Sequence, residues 1–477
     1  MVKGGLWVFA LRFINRGLGF IRTIVLARLL APEDFGLLGI ALLSLSTLET
    51  FSQTGFHAAL IQKKENVGSY LDTAWTVSVI RGVVLFLLLF FLAPVIARFF
   101  SSPQATLVIR VIAISTLLTG CRNIGIVFFQ KELEFNKQFF YEFSATLVDL
   151  TVAITLAFIL KNVWALVWGG LAANLTRLLM SYVLHGYRPR VRFEKEKFQE
   201  LFGFGKWVLA SSIIIFLITQ GDDIFVGKML GVTTLGLYQL AYLISNLPAT
   251  EITHVISQVS FPAYSKLQDD ISKLREAYLR VLQLTVFLSI PASGVIFVFA
   301  PAFTQFFLGD KWLPMVPALE VLCFFGVTRS IGATMGPILY STGNPKIQTK
   351  LSAIQLFSIV VIIYPLTISL KLVGISLAVL FSNLLALILV IRETKKILTY
   401  SYKEFFTILA VPSFTFLAVM LLLLLPIVLL PHQVNIFFLL VILFLATIIY
   451  SLIMYLWDRK KYRILENIYN LSDIFSC

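Results

Sequence analysis

Residues 24–43, IVLARLLAPEDFGLLGIALL, recur in looser form at 224–243, IFVGKMLGVTTLGLYQLAYL, and that recurrence decides the fold. Six of the twenty aligned positions are identical: Ile24/Ile224, Leu30/Leu230, Gly36/Gly236, Leu37/Leu237, Ala41/Ala241 and Leu43/Leu243. Arg28 meets Lys228 in the same alignment. A second match sets Ala93-Pro94 and Phe99-Phe100 over Ala300-Pro301 and Phe306-Phe307, at a spacing of 207. Apolar stretches share leucines easily, so chance is the competing explanation; the matched glycines, each opening a corresponding helix, favour a true repeat.

Working outward, the chain has 477 residues, 58% hydrophobic and 13% charged. Its mean hydropathy is +0.89. Soluble domains run about 45–50% apolar and about 25% charged, so the composition is that of an integral membrane protein. Stretches long enough to cross a ~30 Å hydrocarbon layer recur fourteen times: 5–28, 36–61, 74–98, 106–129, 139–160, 163–185, 205–227, 235–261, 281–306, 315–340, 350–370, 372–391, 405–429 and 433–456. The expected fold is all-α, with two six-helix lobes as a parallel pseudo-repeat and two C-terminal helices. The expected organisation is an N-lobe over 1–186, a cytoplasmic linker over 187–204, a C-lobe over 205–396, helices 13 and 14 over 397–458 and a tail over 459–477. The basic stretch 186–206 reads as an amphipathic interfacial segment.

Basic residues set the orientation. With the N-terminus inside, the inner loops and tail hold 24 Lys and Arg and the outer loops hold 6. Both termini are therefore expected on the cytoplasmic side of the cell membrane. The bias also accounts for the net charge of +14 without a nucleic-acid partner. Arg12 and Arg16 interrupt the first apolar stretch, which reads as a retained helix rather than a signal peptide. Three scattered cysteines and four scattered histidines give neither a disulfide framework nor a metal site. No zinc-protease, P-loop or serine-hydrolase motif is present.

The candidate functional residues are charges at membrane depth. A charged side chain there costs about 2.5–3.5 kcal/mol on insertion scales, so it is kept for a cavity or a partner. The first helix carries Arg12, Arg16 and Arg22. Arg12, Arg16, Gly19 and Thr23 share one helical face, flanked by Asn15 and Arg22. Further arginines lie within spans at Arg81, Arg110, Arg122, Arg177 and Arg329. Arginine suits an anionic cargo through its planar fork of donors and its permanent charge. The expected cavity residues are Arg12, Arg16, Arg22, Arg81, Arg122 and Arg329; Arg110 reads as an interfacial residue. Glu49, Asp149, Asp222 and Asp223 are the candidate gate or coupling groups. Asp222 and Asp223 occupy the repeat positions of Arg22 and Thr23, so a gate is expected between those carboxylates and Arg22 or Arg28. Among the aromatics, Trp168 and Tyr242 are candidate sugar contacts.

Four motifs resemble a known family: ARLLAPEDFGLLG (27–39), QKELEFNK (130–137), VSFPAYSKLQDD (259–270) and LGDKWLPMVPALEVL (308–322). They are similar to Wzx-type polysaccharide exporters of the colanic-acid and teichuronic-acid kind. That group lies in the multidrug/oligosaccharidyl-lipid/polysaccharide flippase superfamily. The resemblance covers essentially the whole chain. It implies fourteen helices in two lobes around a central cavity. It also implies a transporter, not an enzyme, that moves an undecaprenyl-pyrophosphate-linked oligosaccharide across the cytoplasmic membrane by alternating access. The implied partners are the lipid-linked anionic glycan and membrane lipids, with polysaccharide assembly proteins as candidates. No cofactor or metal is expected beyond a coupling ion, Na+ or H+. The alternatives are a drug/cation antiporter of the same superfamily, a membrane enzyme and a scaffold. A cationic drug would want carboxylates on the first helix, which has none. An enzyme would need an activated residue and usually a sizeable outer loop, and a scaffold would leave the buried arginines unexplained.

Overall fold

The computed structural model describes residues 2–53, 55–56, 59–60, 67–429 and 436–461. Every regular element among them is helical. The long helices are α1 (Val2–Leu29), α2 (Pro32–Phe51), α3 (Gly68–Phe99), α4 (Ala105–Gly120), α5 (Phe135–Leu160), α6 (Trp164–Leu184), α7 (Lys195–Met229), α8 (Val232–Leu267), α9 (Ile271–Phe303), α10 (Val316–Ala333), α11 (Pro345–Leu398), α12 (Tyr402–Leu429) and α13 (Ile436–Lys461). Each of the fourteen apolar segments overlaps a helix of this series in its described part, with 106–129 crossing the bend after α4 and 350–370 and 372–391 both on α11. Seven helices among the described residues are long and apolar enough to cross a membrane, and a bent pair makes an eighth. This is a multi-pass membrane protein. Its outer surface is correspondingly apolar: Phe91, Phe357 and Phe414 are each at least 70% exposed. The expected tail beyond Lys461 lies outside the described residues.

Local chemistry sets the breaks. Pro32 opens α2, where its missing N–H removes no helical bond, and Asp34 Oδ2 accepts from the Ala31 amide at 2.9 Å. Lys161 takes a left-handed conformation (φ 49°) that ends α5, and Asn162 Oδ1 accepts from the Trp164 amide to start α6. Within α11 the helix breaks at Lys371 (φ 50°, ψ −124°), at the expected polar interruption. A Cβ on Gly374 would lie 2.0 Å from Leu366 O. Residues eight apart are about 12 Å apart along a straight helix, so the chain folds back on itself at Lys371. After α4 the chain bends by 73° into Ile124–Lys131. Asn123, fully buried, holds that bend by accepting from the Gly125 amide and taking its own amide to Ser181 Oγ.

The contacts divide the chain into two compact units, Met1–Gln239 with Phe303–Pro314, and Leu240–Ala302 with Met315–Cys477. The boundary falls after Gln239, so α7 and the first turns of α8 pack into the first unit. The reason is a contact between the two copies of the repeat. A Cβ on Gly36 would sit 1.9 Å from Val232 O, and a Cβ on Gly236 would sit 1.9 Å from Pro32 O. Pro32 and Val232 are themselves repeat partners, so the crossing is reciprocal about a local pseudo-two-fold. Only a residue without a side chain lets the backbones approach this closely.

Over 186–206, the expected amphipathic interfacial segment, the chain runs extended first and enters a helix only at Lys195. Residues 185–194 are non-helical and run as a strap along the first turns of α3, with α7 starting at Lys195. The Arg190 amide donates to Asp72 Oδ1 at 2.8 Å, the Arg192 amide to Thr76 Oγ1 at 3.0 Å and the Glu194 amide to Thr73 Oγ1 at 3.3 Å. Tyr187 adds its hydroxyl to Asp72. His185 stacks on Phe128, and its Nδ1 accepts from the Tyr187 amide at 3.1 Å.

Two outcomes follow from these contacts. Gly36→Ala and Gly236→Ala should each destabilise the protein by about 1–3 kcal/mol through overpacking, whereas Gly17→Ala, with open space around it, should be neutral or slightly stabilising. Thermal unfolding of the purified variants checks both. Burial, and then the charge of Lys137, hold the His185 pKa below the ordinary histidine value. The neutral ring is therefore favoured in the fold, and its stabilisation is complete above that ordinary value, about 6.5. It falls away as the pH drops from there through the lowered pKa. Exchange of the Tyr187 amide, corrected for its intrinsic rate, should speed up on acidification and should lose that dependence in His185→Asn.

Candidate functional site

The first unit gathers most of the candidate charges. On α1, Thr23 Oγ1 returns to Gly19 O at 2.9 Å, and no atom lies within 4 Å of where a Cβ on Gly17 or Gly19 would be. That leaves free space beside the face that carries Arg16, which is exposed. Arg12 lies on the same helix, but its side chain is outside the described residues.

Arg22 pairs with Asp149 of α5 at 2.9 Å, both side chains about four-fifths buried. Gly169 of α6 makes room for that pair: a Cβ there would lie 2.8 Å from Asp149 Oδ1 and 2.6 Å from the Ala153 Cβ. Arg22 Nε is buried and has no hydrogen-bond partner among the described residues. Arg122 stands at the bend after α4, where its Nη2 donates to Asn174 Oδ1 at 2.7 Å. Its Nε is likewise buried without a partner among the described residues. Nearby, Arg177 pairs with Glu142 at 3.1 Å. Buried guanidinium N–H groups left open are anion-binding capacity, because a charge-assisted acceptor satisfies them best.

Arg81 has a different role. Its Nε donates to Ser52 O and Oγ at 3.0 Å, and its Nη2 donates to Glu49 O at 2.8 Å. It thus closes the carbonyl end of α2, where a cation also complements the helix dipole. Glu49 itself is half-buried beside it. Arg110 donates to Phe90 O and lies 4.8 Å over the Phe90 ring, consistent with the interfacial reading.

Of the two α7 carboxylates, Asp222 is held within its own hairpin. Asp222, 3% exposed, accepts from Tyr238 Oη at 2.7 Å and from the Asp223 amide at 3.0 Å. Arg22 goes to Asp149 instead, and Arg28 donates to Gln305 O at 3.5 Å. Tyr238 lies on α8, 16 residues along the chain from Asp222 and one residue before the end of the first unit, so this contact is made within the α7–α8 hairpin.

A second set of contacts was missed by sequence reasoning. Around Arg28, Lys311 Nζ donates to Arg28 O at 3.0 Å and Trp312 Nε1 to Ala27 O at 2.8 Å. Its repeat partner Lys228 donates to Phe99 O at 2.7 Å and lies 4.9 Å over the Phe99 ring. The cation of each repeat copy thus reaches a carbonyl in the phenylalanine motif of the other copy. The signal was in the two aligned motifs, but alignment alone does not tell which copies touch.

The second unit holds Arg329. Its Nη1 donates to Tyr242 Oη at 3.3 Å and Asn246 Oδ1 at 3.4 Å. Tyr242, one of the two aromatics singled out as a sugar contact, therefore stands beside a cation, whereas Trp168 is 47% exposed. No group of three or more metal-ligating side chains occurs among the described residues.

The geometry of the Arg22–Asp149 pair gives a test of its own. Gly169→Ala should displace Asp149 and lower stability by about 1–3 kcal/mol, while Gly170→Ala, with open space at its Cβ, should leave unfolding within about 1 kcal/mol of wild type.

A family model described as polysaccharide biosynthesis protein matches residues 25–317. The lipopolysaccharide biosynthesis protein WzxC of Escherichia coli (strain K12) is 29% identical over 362 residues, covering 75% of this chain and 73% of that protein. The teichuronic acid biosynthesis protein TuaB of Bacillus subtilis (strain 168) is 27% identical over 292 residues, covering 61% of this chain and 60% of its own. The solved structure of the lipid II flippase MurJ in an inward closed conformation matches with a TM-score of 0.73, covering 95% of this chain and 99% of that one. At 16% identity that likeness is one of fold.

Proposed function

The chain belongs to the polysaccharide biosynthesis protein family, and on that premise we propose that it is a transporter carrying an undecaprenyl-pyrophosphate-linked oligosaccharide, or a polysaccharide repeat unit, across the cytoplasmic membrane. The observation that carries the reading is the pair of buried guanidiniums, Arg22 and Arg122, whose Nε donors have no partner among the described residues. A diphosphate linkage offers the acceptor oxygens and charge such donors want, and a glycan alone does not. In this reading the carboxylates are stand-ins for the cargo. Asp149 neutralises Arg22 when no phosphate is there, which keeps a charge from being buried alone. Cargo phosphate displaces it, and the freed carboxylate can then take a coupling ion, Na+ or H+. Arg16 supplies a further cation on the same helix, and Arg329 with Tyr242 and Asn246 supplies a cation and polar groups in the second unit. Arg81 holds the fold.

Movement is by alternating access between two lobes of a fourteen-span protein, with both termini cytoplasmic. The crosswise contacts Arg28–Gln305 O and Lys228–Phe99 O lie within the first unit, beside the Gly36–Gly236 crossing; Asp222 and Asp223 remain the candidate gate groups in this reading. The names of the relatives support the placing of the cargo in cell-surface polysaccharide synthesis.

Arg122→Ala should lower export strongly while the protein still inserts, and Arg122→Lys should lower it less, since the charge remains and the fork is lost. Loss of a charge-assisted contact of about 1.5–3 kcal/mol corresponds to a fall of about ten- to a hundredfold. The measurement is the amount of lipid-linked glycan held on the inner leaflet of cells carrying each variant. Wild-type export by Arg122→Ala would refute the assignment.

A further inference from the structure

We propose that the strap between α6 and α7 is a docking surface for anionic phospholipid headgroups. The placement follows from α3. Its large apolar side chains are exposed from Ile80 to Phe99, and those 20 positions span about 30 Å of helix, the thickness of the hydrocarbon layer. The strap is bound to Asp72, Thr73 and Thr76, one turn or more before that band begins. It therefore lies at headgroup level, and on the topology proposed above this is the cytoplasmic leaflet.

What the strap displays there fits an anionic lipid surface. Arg188, Arg190 and Arg192 are exposed, and between and beside them Val191 is 82% and Phe193 54% exposed. An apolar side chain next to a cation is the pattern of a segment that rests in the headgroup region, the apolar group dipping inward while the cation meets phosphate. Some of the charge is already used: Arg192 pairs with Glu194 at 2.9 Å, and Arg188 donates to His185 O and Tyr187 O. Even so, residues 186–197 carry a net charge of +3. The surface is also preorganised. The strap is fixed by its backbone amides and by Tyr187, not by its arginines, so little further ordering is needed when lipid binds. For the same reason the arginines can be replaced without unfastening it.

The test uses the full chain in nanodiscs of phosphatidylglycerol and phosphatidylcholine, with a benzophenone side chain in place of Val191. Irradiation should crosslink phosphatidylglycerol in preference to phosphatidylcholine by at least fivefold. The triple variant Arg188→Gln, Arg190→Gln, Arg192→Gln should lose that preference with an unchanged melting temperature in detergent. Millimolar glycerol phosphate in solution should not compete, because a bilayer surface offers many headgroups at once. Equal capture of the two lipids, no lipid capture, or displacement by soluble phosphate would overturn the proposal, the last in favour of a free-phosphate site. The readout is lipid capture and not export, so it stands or falls apart from the transport function.

Discussion

The crossing of α2 and α8 at Gly36 and Gly236 is the contact on which the first unit rests. Each glycine faces the carbonyl of the other repeat copy, at a distance where a single methyl group would collide. Helices in a membrane gain little from the hydrophobic effect between them, so close van der Waals approach has to hold them together. The same two segments then fix what lies next to them. Arg28 and Lys228 end the helices just before the crossing, and Asp222 meets Tyr238 two residues beyond Gly236. A separation of the crossing by one side chain would shift all of these groups together, because packed interiors transmit displacement.

Against that frame, the arginines of the first unit sort by what satisfies them. Arg81 has backbone carbonyls and Ser52, and Arg110 a carbonyl and a ring. Such contacts are local, and they explain the charge without a ligand. Arg22 and Arg122 are different in kind. Each meets a side chain of another helix, Asp149 or Asn174, and keeps a buried Nε donor with no hydrogen-bond partner among the described residues. An unmade hydrogen bond to a buried charged group is expensive, about 1–3 kcal/mol or more, and so is informative where it persists. The distinction between the two kinds of arginine is therefore energetic, and depth in the membrane does not reveal it.

This is also where the legibility of the sequence ends. The helices were readable because apolar length is a direct physical requirement of the bilayer. The breaks at Lys161 and Lys371 were readable because a short polar interruption has nowhere else to go. The bend at Asn123 was not, since it depends on Ser181 and Tyr187, 58 and 64 residues away. The extended course of the strap was not specified either, since it depends on the side chains of Asp72, Thr73 and Thr76, more than 110 residues away, accepting from its amides. For the candidate site, composition and depth single out Arg22, Arg122 and Asp149 one at a time. Their pairing depends on which helices are neighbours, and Gly169, which allows it, carries no charge to draw notice.

The repeat shows the same limit in a form that bears on mechanism. The aligned cations suggested carboxylate partners, since Asp222 and Asp223 lie at the repeat positions of Arg22 and Thr23. The cations reach backbone carbonyls instead, and the physical consequence is a softer contact. A buried carboxylate–arginine pair is hard to break, because separation leaves two charges unpaired in a medium of low dielectric. A cation at a helix C-terminus gains about 0.3–1 kcal/mol from the dipole, and on release both cation and carbonyl can meet water at the membrane surface. Lys228 and Arg28 are exposed at that position. Two such contacts, arranged reciprocally, gain about 0.6–2 kcal/mol together from the dipole. Contacts of this kind can part without titrating any group, which a buried carboxylate–arginine pair does far less easily.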